Sequence, residues 1–309
     1  MTPFVKQHTY RVEASPSCLP LVILPGFGNA TRDYLAPFGD EEASLAAALR
    51  RRGFRASVVP VDRKDWFKVG RMLFSPAFYS SSCTTHPGYA WYLQRCADEV
   101  ARVRQESGAA QVVLVGHSAG GWLARAFLGQ RRYHGAGMRD ADGDDDDDDD
   151  GAGGAPHPHV AALVTLGTPH TPPPPDKARD MTGGALSWVN GRWPGAHWAG
   201  QGVRYVAVAG RAVKGDREAD RKTLPGYSCG SYKQVAGAGH DVVGDAVVPM
   251  RSALLAGAQG VVLDGVLHSM SRVRTFEEPS GAAWYGSDDV VDLWLQQACP
   301  DATTSWPSE

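Results

Sequence analysis

The stretch Gln111-Val-Val-Leu-Val-Gly-His-Ser-Ala-Gly-Gly-Trp-Leu-Ala-Arg-Ala-Phe127 decides how the chain folds. Gln111 to Val115 is a continuous apolar run, the pattern of a strand buried on both faces of a parallel sheet. An apolar helix pattern follows from about Ala119 to Arg131, with no room for a loop between them. The junction, Gly116-His117-Ser118-Ala119-Gly120, fits G-x-S-x-G, a turn that presents a serine Oγ at the C-terminal edge of a sheet. Gly116 and Gly120 sit where a Cβ would collide across the turn, and the serine is held in a strained conformation. The helix from Ala119 directs its N-terminal N–H groups at a developing oxyanion.

The bare pattern is weak. With 36 glycines and 20 serines, chance alone gives about 0.3 matches. A second match is present, Gly226-Tyr-Ser228-Cys-Gly230. It follows Lys222-Thr-Leu-Pro225 and precedes Gly-Ser-Tyr-Lys, which reads as neither strand nor helix. Ser118 is therefore the nucleophile candidate, and Ser228 is expected in a loop.

Working outward, strands and helices alternate. Leu19 to Leu24 is a buried strand stopped by Pro25-Gly26. Glu41 to Arg52 reads as a helix ended by Gly53, and Phe54 to Val61 as a second strand. Tyr89 to Ser107 suits a long helix ended by Gly108. Val160 to Leu166, Gly202 to Ala209 and Gly260 to Leu263 read as later strands, and Ala283 to Gln297 as a closing helix. The alternation predicts an α/β protein with a parallel sheet and helices on both faces. The domain is expected over 19–298, with an N-terminal extension at 1–18 and a tail at 299–309.

Residues 134–158 break the pattern. Nine aspartates lie between Asp140 and Asp150, and the surroundings are Gly, Pro and His. Such a segment has nothing to bury and is expected to be a disordered insertion. A calcium loop needs turn glycines and a spacing that this run lacks. The net charge of −3 becomes −3 + 9 = +6 without these aspartates. That balance is too small and dispersed for nucleic acid. The five cysteines are scattered without a CxxC pair, so neither a disulfide framework nor a thiolate zinc site is expected. No apolar run approaches the ~20 residues of a membrane span. Residues 1–19 lack the apolar core of a secretory signal. No cofactor or metal is expected.

A serine hydroxyl needs a base, and the base a carboxylate, in the chain order Ser…Asp/Glu…His for this topology. His240 and His268 are late enough. His268 stands just beyond the last strand, whereas His240 reads as a loop or substrate-facing residue. Asp241, Asp245 and Asp264 are the acids. Asp245, in Gly244-Asp-Ala-Val-Val-Pro249, is best placed, and Asp264 suits a turn. The loop Pro25-Gly-Phe-Gly-Asn29 leaves the first strand, so the Phe27 and Ala119 N–H groups are the expected oxyanion donors. Residues 171–200, with Trp188, Trp193 and Trp198, are expected to form a lid over an apolar acyl pocket, unless the tryptophans only pin a long loop to the domain. Met72, Leu73, Phe74, Phe78 and Tyr79 form a second apolar loop. His117, Trp188 and Trp193 are the expected substrate contacts.

Leu24-Pro-Gly-Phe-Gly-Asn-Ala30, Gly116-His-Ser-Ala-Gly-Gly-Trp-Leu-Ala-Arg125, Leu166-Gly-Thr-Pro-His170, Gly244-Asp-Ala-Val-Val-Pro249, Leu263-Asp-Gly-Val-Leu-His-Ser269 and Trp284-Tyr-Gly-Ser287 together resemble the lipase-like α/β-hydrolases of cyanobacteria and plant plastids. These are grouped with the GPI inositol-deacylase-like proteins. The resemblance covers most of 19–298 outside the insertion. It implies Ser118 as nucleophile, Asp245 as acid, His268 as base and a chloroplast location, the cytoplasm being the alternative. Many lipases carry His-Gly in the oxyanion loop where this chain has Pro25-Gly26.

The expectation is an α/β-hydrolase fold and a serine esterase acting on lipid or other apolar acyl esters through an acyl-enzyme. Its partners would be a small-molecule or lipid ester and, peripherally, a membrane. An acyltransferase of the same fold and a non-catalytic lipid-binding protein are the alternatives.

Overall fold

A computed structural model describes residues 10–130, 154–275 and 282–305. Six strands form one sheet: β1 (Leu21–Leu24), β2 (Ala56–Val58), β3 (Val112–His117), β4 (Val160–Leu166), β5 (Arg204–Arg211) and β6 (Gln259–Asp264). Their order is β2-β1-β3-β4-β5-β6, and every pairing is parallel. Parallel neighbours need crossovers, and the helices supply them.

Successive strand residues point to opposite faces, and the burial follows this rule. In β1, Leu21 and Ile23 enter one apolar cluster, and Val22 and Leu24 the other. The first cluster is completed by helices Leu45–Arg50 and Asp288–Ala298 through Leu45, Leu49, Val291 and Trp294. Helices Ala90–Ser107, Ala119–Gly129 and Ala185–Arg192 cover the other face through Tyr92, Cys96, Leu123, Phe127 and Val189. All four residues of β1 and all six of β3 are buried, which is why both read as unbroken apolar runs.

Several boundaries differ from the sequence reading. The helix expected from Glu41 begins at Leu45, where the Ser44 side chain caps it by accepting the Ala47 N–H. The closing helix begins at Asp288, not Ala283, because Ala283–Trp284 is a short strand parallel to Val266–Leu267. Ser228 is not in a loop. It lies within the helix Leu224–Ala236, fully buried, with its hydroxyl donating to the Leu224 carbonyl at 2.7 Å.

Residues 134–153 of the expected insertion lie outside the described residues. At its end, His157 donates its backbone N–H to Leu128 and stacks on Phe127 at 4.4 Å between ring centroids. All five cysteines are free. No helix among the described residues is long and apolar enough to cross a membrane.

Candidate active site

The loops that leave the C-terminal ends of the strands converge on Ser118, in the crevice where open α/β sheets place their ligands. Ser118 directly follows β3 and caps the helix Ala119–Gly129 with φ 52° and ψ −125°. A positive φ on a residue with a Cβ stores strain, and here the surroundings enforce it. The Ser118 N–H donates to Leu166 of β4 at 2.9 Å, and the Thr168 hydroxyl donates to the Ser118 carbonyl at 2.8 Å. A Cβ on Gly116 would run into the backbone of Gly120 and Gly121, and one on Gly120 into that of Leu24 and Pro25. The turn is thus wedged against β1 and β4.

The oxyanion loop meets this turn directly. A Cβ on Gly26 would come within 2.8 Å of the Ser118 Cβ. Ala119 is the first helical residue, so its N–H has no intrahelical acceptor. Phe27 follows Gly26, and its side chain is exposed beside Trp66, with ring centroids 5.1 Å apart.

Asp245 and His268 arrive from the other side. After β5 the chain turns back, and Val213–Lys214 pairs antiparallel with Val243–Gly244. Asp245 follows that pair and is fully buried. Its Oδ1 accepts the N–H groups of Val247 and Val248 at 3.0 and 2.7 Å. Its Oδ2 accepts the Tyr285 hydroxyl at 2.7 Å and lies 2.8 Å from His268 Nδ1. Burial alone would raise this carboxyl. The His268 imidazole and these donors outweigh it and hold the acid below the usual carboxylate range. Asp245 is therefore ionised, so the nitrogen facing it is Nδ1–H, and His268 Nε2 is left as the acceptor. Among the described residues no hydrogen bond joins Nε2 to Ser118 Oγ; such bonds often tighten only when substrate is bound.

His117, expected at the substrate, is 1% exposed and lies behind the site. Its Nε2 is 2.8 Å from the His268 carbonyl oxygen, which only accepts, so Nε2 carries the proton. Its Nδ1 then accepts the Tyr34 hydroxyl at 2.7 Å. Tyr34 Oη in turn accepts the Gly26 N–H at 2.9 Å and an Asn29 side-chain N–H at 3.0 Å. Burial, helped by the neighbouring His268, lowers the His117 imidazole to about 3, so it is neutral. A continuous run of hydrogen bonds thus joins the Gly26 N–H of the oxyanion loop through Tyr34 and His117, both of whose ring nitrogens are engaged, to the backbone of His268.

The tryptophans depart from the expected lid. Trp193 is 1% exposed and packs where a Cβ on Gly129 would strike its indole. Gly129 ends an eleven-residue helix whose other end carries Ser118, a separation of roughly 16 Å. Trp188 packs edge-on against Trp193 at 5.3 Å, and Trp198 is buried in the same cluster. Trp193 and Trp198 thus pin the segment to the domain, the alternative that the sequence left open, and the half-buried Trp188 packs on Trp193.

The rival acids and base lie elsewhere. Asp241 is exposed and pairs with Lys214 at 2.6 Å, and Asp264 pairs with Arg211 at 2.5 Å. His240 is exposed between Asp216 and Asp241, 3.7 Å from each. Tyr34, Tyr285, Thr168 and Gly167 were not singled out from sequence. Gly167 and Thr168 stand in Leu166-Gly-Thr-Pro-His170 and Tyr285 in Trp284-Tyr-Gly-Ser287, so the motifs held a signal for them, while Tyr34 had none.

No family model matches the sequence, and no curated protein is similar to it. Among solved structures, the chain is similar to the propeptide form of the Bacillus licheniformis lipase BlEst2, with TM-score 0.53 and 12% identity over 97% of this chain and 55% of that one. It therefore spans about half the length of that lipase chain. It is also similar to a metagenomic carboxyl esterase, with TM-score 0.50 and 13% identity over 93% of this chain and 77% of that one. At such identity the likeness is one of fold, and the fold of this chain is that of the α/β-hydrolases.

Proposed function

We propose that the chain is a serine hydrolase of carboxylic esters with an apolar acyl part. Ser118 Oγ attacks the ester carbonyl while His268 Nε2 takes its proton. Asp245 holds the imidazole in the Nδ1–H tautomer and stabilises the imidazolium that forms. The N–H groups of Phe27 and Ala119 receive the developing oxyanion. The imidazolium then gives its proton to the leaving alcohol, and the acyl-enzyme is resolved by water, activated by the same base.

The observation that carries this reading is the buried His268–Asp245 pair at 2.8 Å, delivered to the sheet edge where Ser118 is held at positive φ. An ionised carboxylate with all its lone pairs engaged, orienting an imidazole whose other nitrogen is left as an acceptor, is an arrangement suited to a general base. Lipase and carboxyl-esterase relatives in fold favour esters over other acyl compounds. Turnover on esters of increasing acyl length, with a lipid ester among them, tests the reading. Turnover is expected in the wild type and not in His268→Ala. A folded wild type inert on every ester contradicts it.

A further inference from the structure

The segment Arg63–Tyr79 has a surface that neither the core nor the candidate site explains. Phe67 is 84% exposed and Phe74 90% exposed, and Leu73 and Tyr79 are also exposed. Solvent-facing apolar side chains are ordinary singly, but clustered they mark a contact surface. The backbone beneath is firmly held. Trp66 is buried and donates its indole N–H to the Asn29 carbonyl at 2.7 Å, and Met72 is buried. A Cβ on Gly183 would strike the Phe78 ring, and Arg179 lies over that ring at 4.6 Å. Met181, two residues before Gly183, is also exposed.

Charge is interleaved with these side chains. Arg63, Lys64, Lys68 and Arg71 lie within the twelve residues Arg63–Phe74, and Asp65 is the one acid there. Asp65 is buried and bound by both Arg95 and Lys68, so it takes up Lys68 but not the exposed Lys64 and Arg71. Asp62, 3.7 Å from Lys64, and Asp33, 2.5 Å from Arg63, are the acids alongside. The outward face is thus aromatic at its tips, with the exposed cations Lys64 and Arg71 between them and Arg63 held by Asp33. The patch also borders the candidate nucleophile. Trp66, next to Phe67, packs on Phe27, and Gly26 abuts Ser118.

We propose that this face docks on an anionic lipid surface, with Phe67 and Phe74 entering the headgroup region and Lys64 and Arg71 meeting lipid phosphates. Aromatic tips supply apolar burial and interleaved cations supply attraction to anionic lipid, the two terms of interfacial binding. Each cation near such a surface contributes ~1 kcal/mol, about a fivefold gain in partitioning. Docking would bring the Phe27 loop beside Ser118 towards the bilayer. Vesicle binding is read without turnover, so this inference and the ester-hydrolase reading fail separately.

The test is co-sedimentation of the full chain with phosphatidylcholine vesicles, with and without phosphatidylglycerol. Binding to the anionic vesicles is expected, and it weakens as salt is raised. The double variant Phe67→Ser, Phe74→Ser and the double variant Lys64→Glu, Arg71→Glu should each lower partitioning by about tenfold or more, from the apolar and electrostatic terms respectively. Melting temperature and turnover on a short soluble ester should stay near wild type. Absence of binding to the anionic vesicles overturns the proposal, as does binding that the double variant Phe67→Ser, Phe74→Ser leaves unchanged. A wild type that self-associates through Phe67 and Phe74 and ignores vesicles also overturns it, making the patch an interface between copies.

Discussion

His117 Nε2 lies 2.8 Å from the carbonyl oxygen of His268, so the residue next to the candidate nucleophile holds the backbone of the candidate base. The same imidazole, through Tyr34, holds the oxyanion loop at Gly26. One neutral ring thereby fixes two loops from opposite sides of the site. Removing the link should loosen geometry without removing a reacting group.

Tyr34→Phe is the cleanest probe of that link. It keeps the ring in its buried place and deletes the oxygen that receives the Gly26 and Asn29 N–H groups. Small misplacements of oxyanion donors are costly in rate. We expect kcat on a soluble ester to fall by about tenfold to a hundredfold with KM little changed. A normal kcat would show that the loop is held by its other contacts.

Tyr285→Phe tests the support of the acid. It removes the hydroxyl that donates to Asp245 Oδ2, and it leaves the buried Gly210 N–H, which donates to the Tyr285 oxygen at 2.7 Å, without that acceptor. A buried donor left unpaired costs about 1–3 kcal/mol. Denaturant unfolding should show a loss of that order, with lower kcat besides.

Gly167→Ala should be more damaging to activity. Gly167 has φ +56°, and a Cβ there would stand 2.5 Å from Asp245 Oδ2 and 3.0 Å from His268 Nδ1. The pair has no space to yield, so turnover should fall by more than about a hundredfold in a protein that circular dichroism shows to be folded. Near-normal turnover would show that Asp245 and His268 tolerate displacement.

Acid should destabilise the fold through its buried histidines. His117 is lowered to about 3 by burial and by His268, and His170 is lowered by burial and by Arg125. Unfolded, both would titrate near ~6.5. Below that value the unfolded chain binds more protons than the folded one, so stability drops as pH falls from about 6.5 towards the folded values. Asp245 contributes at lower pH, because a depressed carboxyl loses its stabilisation only as pH falls through its folded value. Thermal melts at about pH 7 and about pH 5 should differ by on the order of 5 °C or more. The double variant His117→Asn, His170→Asn should show a smaller difference, and an equal one would remove the histidines as the cause.

The features legible in the sequence were those set by local pattern. Both-face burial turns β1, β3 and β4 into apolar runs, and the span Val160–Leu166 was read residue for residue. The strand–helix turn at Ser118 was legible because its glycines are demanded by backbone contact, not by distant packing. What escaped depends on partners far along the chain. Ala283–Trp284 has an apolar helical look until Val266–Leu267 pairs with it. Trp193 looks like a pocket residue until Gly129, far earlier in the chain, makes room for its indole. His117 gave no sign that Tyr34 and the His268 backbone would consume both its nitrogens. Ser228 imitates the nucleophile motif, but its helix spends the hydroxyl on Leu224.

Labelling with a fluorophosphonate, followed by peptide mapping of the adduct, tests the central claim most directly. The reagent needs an activated serine, and only one of the two G-x-S-x-G serines stands at a strand–helix turn with positive φ. The account predicts a single adduct on Ser118, abolished by Ser118→Ala, strongly slowed by His268→Ala and Asp245→Asn, and near wild type in Ser228→Ala. An adduct on Ser228, or a folded wild-type protein that never reacts, would contradict it.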